Sequence, residues 1–163
     1  MDTLEIEKKE ARHNIEMWIK EAEEKADFLW NREKEDVKKF FKDNDERKFI
    51  GIIATECMQL FEGIEDDHLY ADKSYFIHHY INRHPDNRLY ENIQNVLDNY
   101  TNIYFDTEQK SICFVKRYGV LADCLFVKND NGKVVLFGST YNQPEYRLHN
   151  NRYKKITPAN KQE

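Results

Sequence analysis

Glycine and proline are scarce in this 163-residue chain, at five and three copies, and neither occurs before Gly51. Nothing therefore punctuates the first fifty residues, and turns built on either residue are excluded there. Long apolar runs are missing too. No stretch approaches the ~18 residues that a membrane-spanning helix requires, so no membrane partner is expected. The N-terminus, MDTLEIEKKE, has neither a basic n-region nor an apolar h-region and does not read as a secretory signal. Only three cysteines occur, Cys57, Cys113 and Cys124, an odd set without metal-ligand spacing, and a reducing cytoplasm is the simplest expectation. No Gly-rich phosphate loop, G-x-S-x-G elbow, C-x-x-C pair or H-E-x-x-H helix is present, so those motif-borne chemistries are excluded. Neither a metal nor a cofactor is expected.

Charge is abundant and uneven. Residues 1–48 hold 12 Lys/Arg against 15 Asp/Glu, residues 49–110 hold 4 against 11, and residues 111–163 hold 9 against 4. A basic C-terminal third on a chain of net charge −5 is the footprint of a phosphate or other anion site. A solvated basic tail (RYKK, 152–155) explains it equally well.

In the first 47 residues Ile15, Trp18, Ile19, Ala22, Ala26, Leu29, Val37 and Phe40 or Phe41 recur at spacings of three, four and seven, with Glu, Lys and Arg between them. The pattern predicts a long charged helix with a narrow apolar stripe. Continuous over ~40 residues it would reach roughly 60 Å, more than one small domain covers. The stripe therefore calls for a second copy of the chain, a fold-back, or another protein, and a dimer or larger species is expected. Glu33 interrupts it, and Ala22 and Ala26 make it shallow, so any coiled coil is short or weak. Asp and Asn in DNDER (43–47) offer helix caps where the arm ends.

The folded part is expected over 48–142, with 143–163 as a basic tail. KFIGIIATECMQLFEGI (48–64) reads as a short strand or extended segment, then a short helix ending at Gly63. DKSYFIHHYINRHP (72–85) reads as a helix that Asp72 or Ser74 caps and Pro85 limits. RLYENIQNVLDNY (88–100) reads as another, with Leu89, Ile93, Val96 and Leu97 on one face. The period then switches to two in TNIYFD (101–106), SICFVKR (111–117), VLADCLFVK (120–128) and KVVLFGSTY (133–141). Asn131-Gly132 is a strong hairpin signal. A tight turn near Tyr118-Gly119 would set Cys113 opposite Cys124 as apolar sheet thiols. The fold class expected is α+β: a long N-terminal helix, then two or three helices packed on a four-stranded antiparallel sheet.

Chemistry concentrates in HHYINRHP. His79 and Arg83 are four apart on one helical face, with His84 following. Imidazole titrates near neutrality and suits proton transfer, and a guanidinium beside it holds phosphate. Lys116 lies where a strand ends in two cations (VKR, 115–117), and Ser139 and Thr140, with Tyr141, lie where another ends in hydroxyls and amides (GSTYNQ, 138–143). Cations and hydroxyls on neighbouring strands suit an electrostatic cradle for a pentavalent phosphate. Each histidine taken singly also suits a capping or core role.

The succession KFIGII, HHYINRHP, NIQNVLDNY, NIYFD, ICFVKR, LADCLFVK and VVLFGSTY resembles the phage-associated nuclease domains of the barnase–EndoU–colicin–RelE fold over about 48–142. RHP followed by the V-L-D-N-Y helix is the most specific part of the likeness. The resemblance implies a metal-independent RNA endonuclease of phage or toxin type, acting on RNA, tRNA included, in a bacterial host cytoplasm. It places His79, Arg83 and His84 on the helical motif, Lys116 on the strand cation, and Ser139 and Thr140 on the last-strand hydroxyls. The chain departs from the family pattern at STYNQP, where a basic pair is expected after the serine. Two other classes compete. One is a catalytically inactive phage protein of this fold that binds a host protein or nucleic acid, such as an inhibitor of a host defence system. The other is an interaction protein that works through its long helix.

Overall fold

The computed structural model of the chain describes residues 2–82 and 92–158. Its first helix, α1 (Thr3–Glu24), starts where the Asp2 carboxylate accepts the Glu5 amide at 2.9 Å, and it buries Ala11, Ile15, Trp18 and Ala22 on one side. The helix ends at Lys25 and is followed by the one-turn α2 (Ala26–Leu29) and the short α3 (Lys34–Phe40). Between them the chain reverses at Asn31, whose φ of 62° lies in the left-handed region and whose amide donates to Asn82 Oδ1 at 2.6 Å. Asparagine tolerates that conformation better than most residues. A segment without glycine can therefore turn here, and the single helix expected becomes three.

The stripe finds its partner in the chain itself. Ile15, Trp18, Ala22, Leu29, Val37 and Phe41 join Phe76, Ile77, Leu97, Phe114 and Leu125 in one core. Asn14 donates to the Phe49 carbonyl at 2.8 Å, and Trp18 Nε1 to Glu46 at 3.0 Å, which fixes α1 along the sheet edge.

The fold is α+β with a long N-terminal helix, and its sheet is larger than expected. Among the described residues seven strands, not four, lie in the order β1-β2-β6-β5-β4-β3-β7: β1 (Arg47–Ile52), β2 (His68–Asp72), β3 (Asn102–Asp106), β4 (Ser111–Tyr118), β5 (Leu121–Asp130), β6 (Lys133–Pro144) and β7 (Tyr153–Ile156). The sheet is mixed, because β2 and β6 pair in parallel (Leu69 with Val134, Tyr70 with Val135) while the other neighbours are antiparallel. The expected meander survives inside it as β3 to β6. Asn131 and Gly132 have φ of 53° and 96°, as a two-residue hairpin turn with both positions left-handed requires. The other hairpin corrects the expected register: Tyr118 pairs with Leu121 around Gly119, so Cys113 faces Phe126 and Cys124 faces Val115. All three cysteines are buried and none forms a disulfide.

Helix α4 (Lys73–Asn82) leaves β2 directly, and its first turn is capped from a distance: Asp45 accepts both the Ser74 amide (3.0 Å) and its hydroxyl (2.7 Å). Asp72, an expected cap, instead binds Arg47 at 2.7 Å. Helix α5 (Ile93–Asp98) buries Ile93, Val96 and Leu97; Leu89 lies outside the described residues. Helices α1, α4 and α5 contribute to the core on one sheet face. The opposite face, called the open face below, carries a smaller cluster of Tyr104, Cys113, Val115, Ala122, Cys124 and Leu148.

The expected basic tail holds a 3₁₀ turn (Glu145–Leu148) and the edge strand β7. Arg152 clamps this strand, giving two hydrogen bonds of 2.8 Å to Asp106, whose carboxylate also accepts the Glu108 and Gln109 amides. These donors, Arg152 first, hold Asp106 below the usual carboxylate range. A depressed carboxyl adds stability above its unfolded value of ~4 and loses it as pH falls through the folded value. Asp106→Ala leaves those donors without their acceptor and is expected to cost about 1–3 kcal/mol at neutral pH. The gap to the parent chain should close below about pH 4 in urea titrations run across pH.

Candidate functional site

The predicted residues divide between the two sheet faces. His79 is half-buried in the last turn of α4, with Nδ1 3.2 Å from the Tyr75 carbonyl and its ring 4.1 Å from the Tyr75 ring. Tyr75 is 8 % exposed; burial pushes its hydroxyl well above the ordinary tyrosine range, and the Ser139 side chain acts on it in the opposite sense. Ser139 of β6 therefore approaches Tyr75. His78, the neighbouring imidazole, is buried, with its ring 5.4 Å from that of His79.

Lys116 lies on the same face as Ser139, because it continues the inward series Ile112, Phe114 on β4 while Ser139 pairs with the inward Leu125. One strand separates β4 from β6, and Lys116 pairs with Asp123 while Ser139 pairs with Leu125, so the two positions share a face with backbones roughly 10 Å or more apart. The Lys116 ammonium sits 5.1 Å over the Tyr118 ring, and the Tyr118 hydroxyl accepts a hydrogen bond from Asn95 of α5 at 3.3 Å. Thr140 departs from the group. It pairs with Cys124 on the open face, and hydrogen bonds from Cys113 and Thr140 lower the Cys124 thiol. Successive strand residues point to opposite faces, so one cradle cannot use both hydroxyls. Arg83 and His84 lie outside the described residues.

Two groupings went unread in the sequence. His68 stacks on Phe49 at 4.1 Å, with Nε2 3.3 Å from Glu7 and 3.7 Å from Asp67. Among the described residues, Glu7, Asp67 and His68 could gather round a cation. The ring contact to Glu7 of α1 already ties that helix to β2. The second grouping is on the open face, where Glu145 accepts hydrogen bonds from Tyr104 and Asn102, both at 2.6 Å. Neither was visible as a motif, since their members come from segments far apart in sequence.

No family model, curated protein or solved structure matches this chain.

Proposed function

We propose that the chain is a metal-independent RNA endonuclease that directs a ribose 2′-hydroxyl at the adjacent phosphorus and leaves a 2′,3′-cyclic phosphate and a 5′-hydroxyl. The observation that carries this reading is that an imidazole (His79), a hydroxyl (Ser139) and an ammonium (Lys116) lie on one face of the sheet. In-line attack needs a proton acceptor at the 2′-oxygen, a donor at the 5′-oxygen and a cation for the charge that develops. His79 takes one of the proton-transfer roles, Lys116 offsets charge on the phosphorane, and Ser139 positions a phosphate oxygen. The family resemblance supplies His84 as the second proton carrier and Arg83 as a further cation.

The test is incubation of the intact protein with total RNA and with tRNA, followed by end-group analysis. Cyclic phosphate ends should form at the same rate in excess EDTA, because no step passes through a metal. Failure to cleave any RNA would retire the enzyme reading in favour of a protein of this fold that only binds.

A further inference from the structure

Near the β1 edge of the sheet, His68 brings together ligating atoms that the proposed chemistry leaves unused. Its ring lies flat on Phe49 of β1, with centroids 4.1 Å apart and planes 18° from parallel. Asn14 of α1 donates to the Phe49 carbonyl, and Glu7 lies two helical turns earlier on the same side of that helix. Glu7 Oε1 thereby comes within 3.3 Å of His68 Nε2, and Asp67 Oδ1 within 3.7 Å. All three ligating atoms lie within 4.8 Å of one another. The backbone beneath them is held as well: the Asp67 carbonyl accepts the Ile53 amide at 2.7 Å, and Asp66 accepts the His68 amide at 3.0 Å.

The other ring nitrogen decides which form the imidazole takes. Tyr70 gives its one hydroxyl hydrogen to Asp66 Oδ2 at 2.7 Å. The Tyr70 oxygen, 3.5 Å from Nδ1, and Asp66 Oδ2, at 3.9 Å, therefore face that nitrogen as acceptors only. Nδ1 keeps its hydrogen, and a neutral His68 turns a bare Nε2 lone pair towards Glu7 and Asp67. Three acceptors then converge on one point. Lys133 is nearby, but its ammonium pairs with Glu65 at 3.5 Å and rests over the Tyr70 ring. A proton on Nε2 would answer only the nearer carboxylate, Glu7, whereas a divalent cation answers all three atoms at once.

Donor set and spacing define the ion. One imidazole nitrogen with two carboxylate oxygens suits a borderline divalent transition metal such as Zn²⁺. Zn²⁺ holds such atoms at about 2.0–2.2 Å, so neighbouring ligands of a tetrahedron stand about 3.3–3.6 Å apart. The separations of His68 from Glu7 and from Asp67 fall close to that edge length. Both carboxylates are partly exposed and can rotate to close the third edge. Asp66 and Tyr70 behind Nδ1 supply the outer partners that orient a ligating histidine.

We propose that Glu7, Asp67 and His68 bind one divalent transition-metal ion of the Zn²⁺ type, which fastens helix α1 to strand β2. Water completes the coordination on the solvent side. The ligands come from segments far apart in sequence, so the unfolded chain holds no such set and binding stabilises the fold. The ion enters no step of the proposed cleavage. Binding and stability report on it, so its test is independent of the endonuclease reading.

The full chain, stripped with EDTA and then freed of the chelator, is titrated with Zn²⁺ by calorimetry and melted with and without the ion. One ion per chain should bind. At about 100 times its dissociation constant it should raise the melting temperature by about 5–10 °C. His68→Ala should weaken binding about tenfold or more and abolish that rise. Zn²⁺ that binds His68→Ala as tightly as the parent lies elsewhere on the chain, and that result overturns the proposal. Absence of saturable binding to the parent overturns it too, and leaves His68 as an imidazolium held between carboxylates. If His68→Ala fails to fold, Glu7→Gln and Asp67→Asn decide, because both side chains are partly exposed. Affinity lost in both upholds the site, and parental affinity in either rejects it.

Discussion

Trp18→Ala is expected to destabilise the chain by about 3–5 kcal/mol, the usual loss when a buried aromatic is truncated to alanine. Trp18 is 2 % exposed, its ring lies 5.4 Å from Phe76 of α4, and its indole N–H is held by Glu46 at 3.0 Å. The substitution removes core volume and leaves Glu46 without its donor in the same step. Domains of this size are stable by only ~5–15 kcal/mol, so the variant should unfold at markedly lower urea concentration. The same packing decides what the N-terminal segment is for. Deleting residues 1–45 removes Ile15, Trp18, Ala22, Leu29, Val37 and Phe41 from the core, and with them the Asp45 carboxylate that caps α4. The expected product is an unfolded chain rather than a folded monomer released from a helical association. Equilibrium urea unfolding with circular dichroism measures both variants. A Trp18→Ala chain within 1 kcal/mol of the parent would mean that α1 is only loosely attached.

Local pattern carried much of this fold, and the failures have identifiable causes. Strands β3 to β6 were legible because alternation and turn chemistry are properties of neighbouring residues, and Asn131-Gly132 fixed one hairpin outright. Strand β2 was missed: HLYAD alternates inward at Leu69 and Ala71, yet it is five residues long and follows an acidic run. Its parallel partner β6 lies more than sixty residues away, beyond any local signal. Strand β7 reads as a solvated basic stretch because only its pairing with β3, not its own composition, makes it a strand. The helical period ran through Asn31 with Glu33 as its one interruption, since no glycine or proline marks the turn there. The cysteine register slipped because the turn centres on Gly119 and Val120 rather than on Tyr118 and Gly119. In the candidate site, Ser139 and His79 come to the same tyrosine, whereas adjacency in sequence sent Thr140 to the other face. Glu145 could not be singled out, because one carboxylate after a proline looks like any other until its second oxygen is found buried without a donor.

His79→Ala should reduce RNA cleavage by about 10²–10⁴-fold, the usual worth of a positioned acid or base. It should do so without unfolding the domain. The imidazole is half-buried, rests on the Tyr75 ring, and places Nδ1 against a carbonyl of its own helix. Alanine there keeps a good helix former in α4 and opens no enclosed cavity. His78 is the natural comparison, because it adjoins His79 in sequence but is 5 % exposed. His78→Ala should lower the melting temperature, and its cleavage per folded molecule should stay close to that of the parent. The pair of variants thus separates chemistry from packing within one dipeptide. Rates of cyclic-phosphate formation, divided by the folded fraction from parallel thermal melts, give the comparison. If His79→Ala cleaves at the parental rate, the ring takes no part in proton transfer. If it melts as early as His78→Ala, its role is structural, and the catalytic imidazole must be sought elsewhere in the chain.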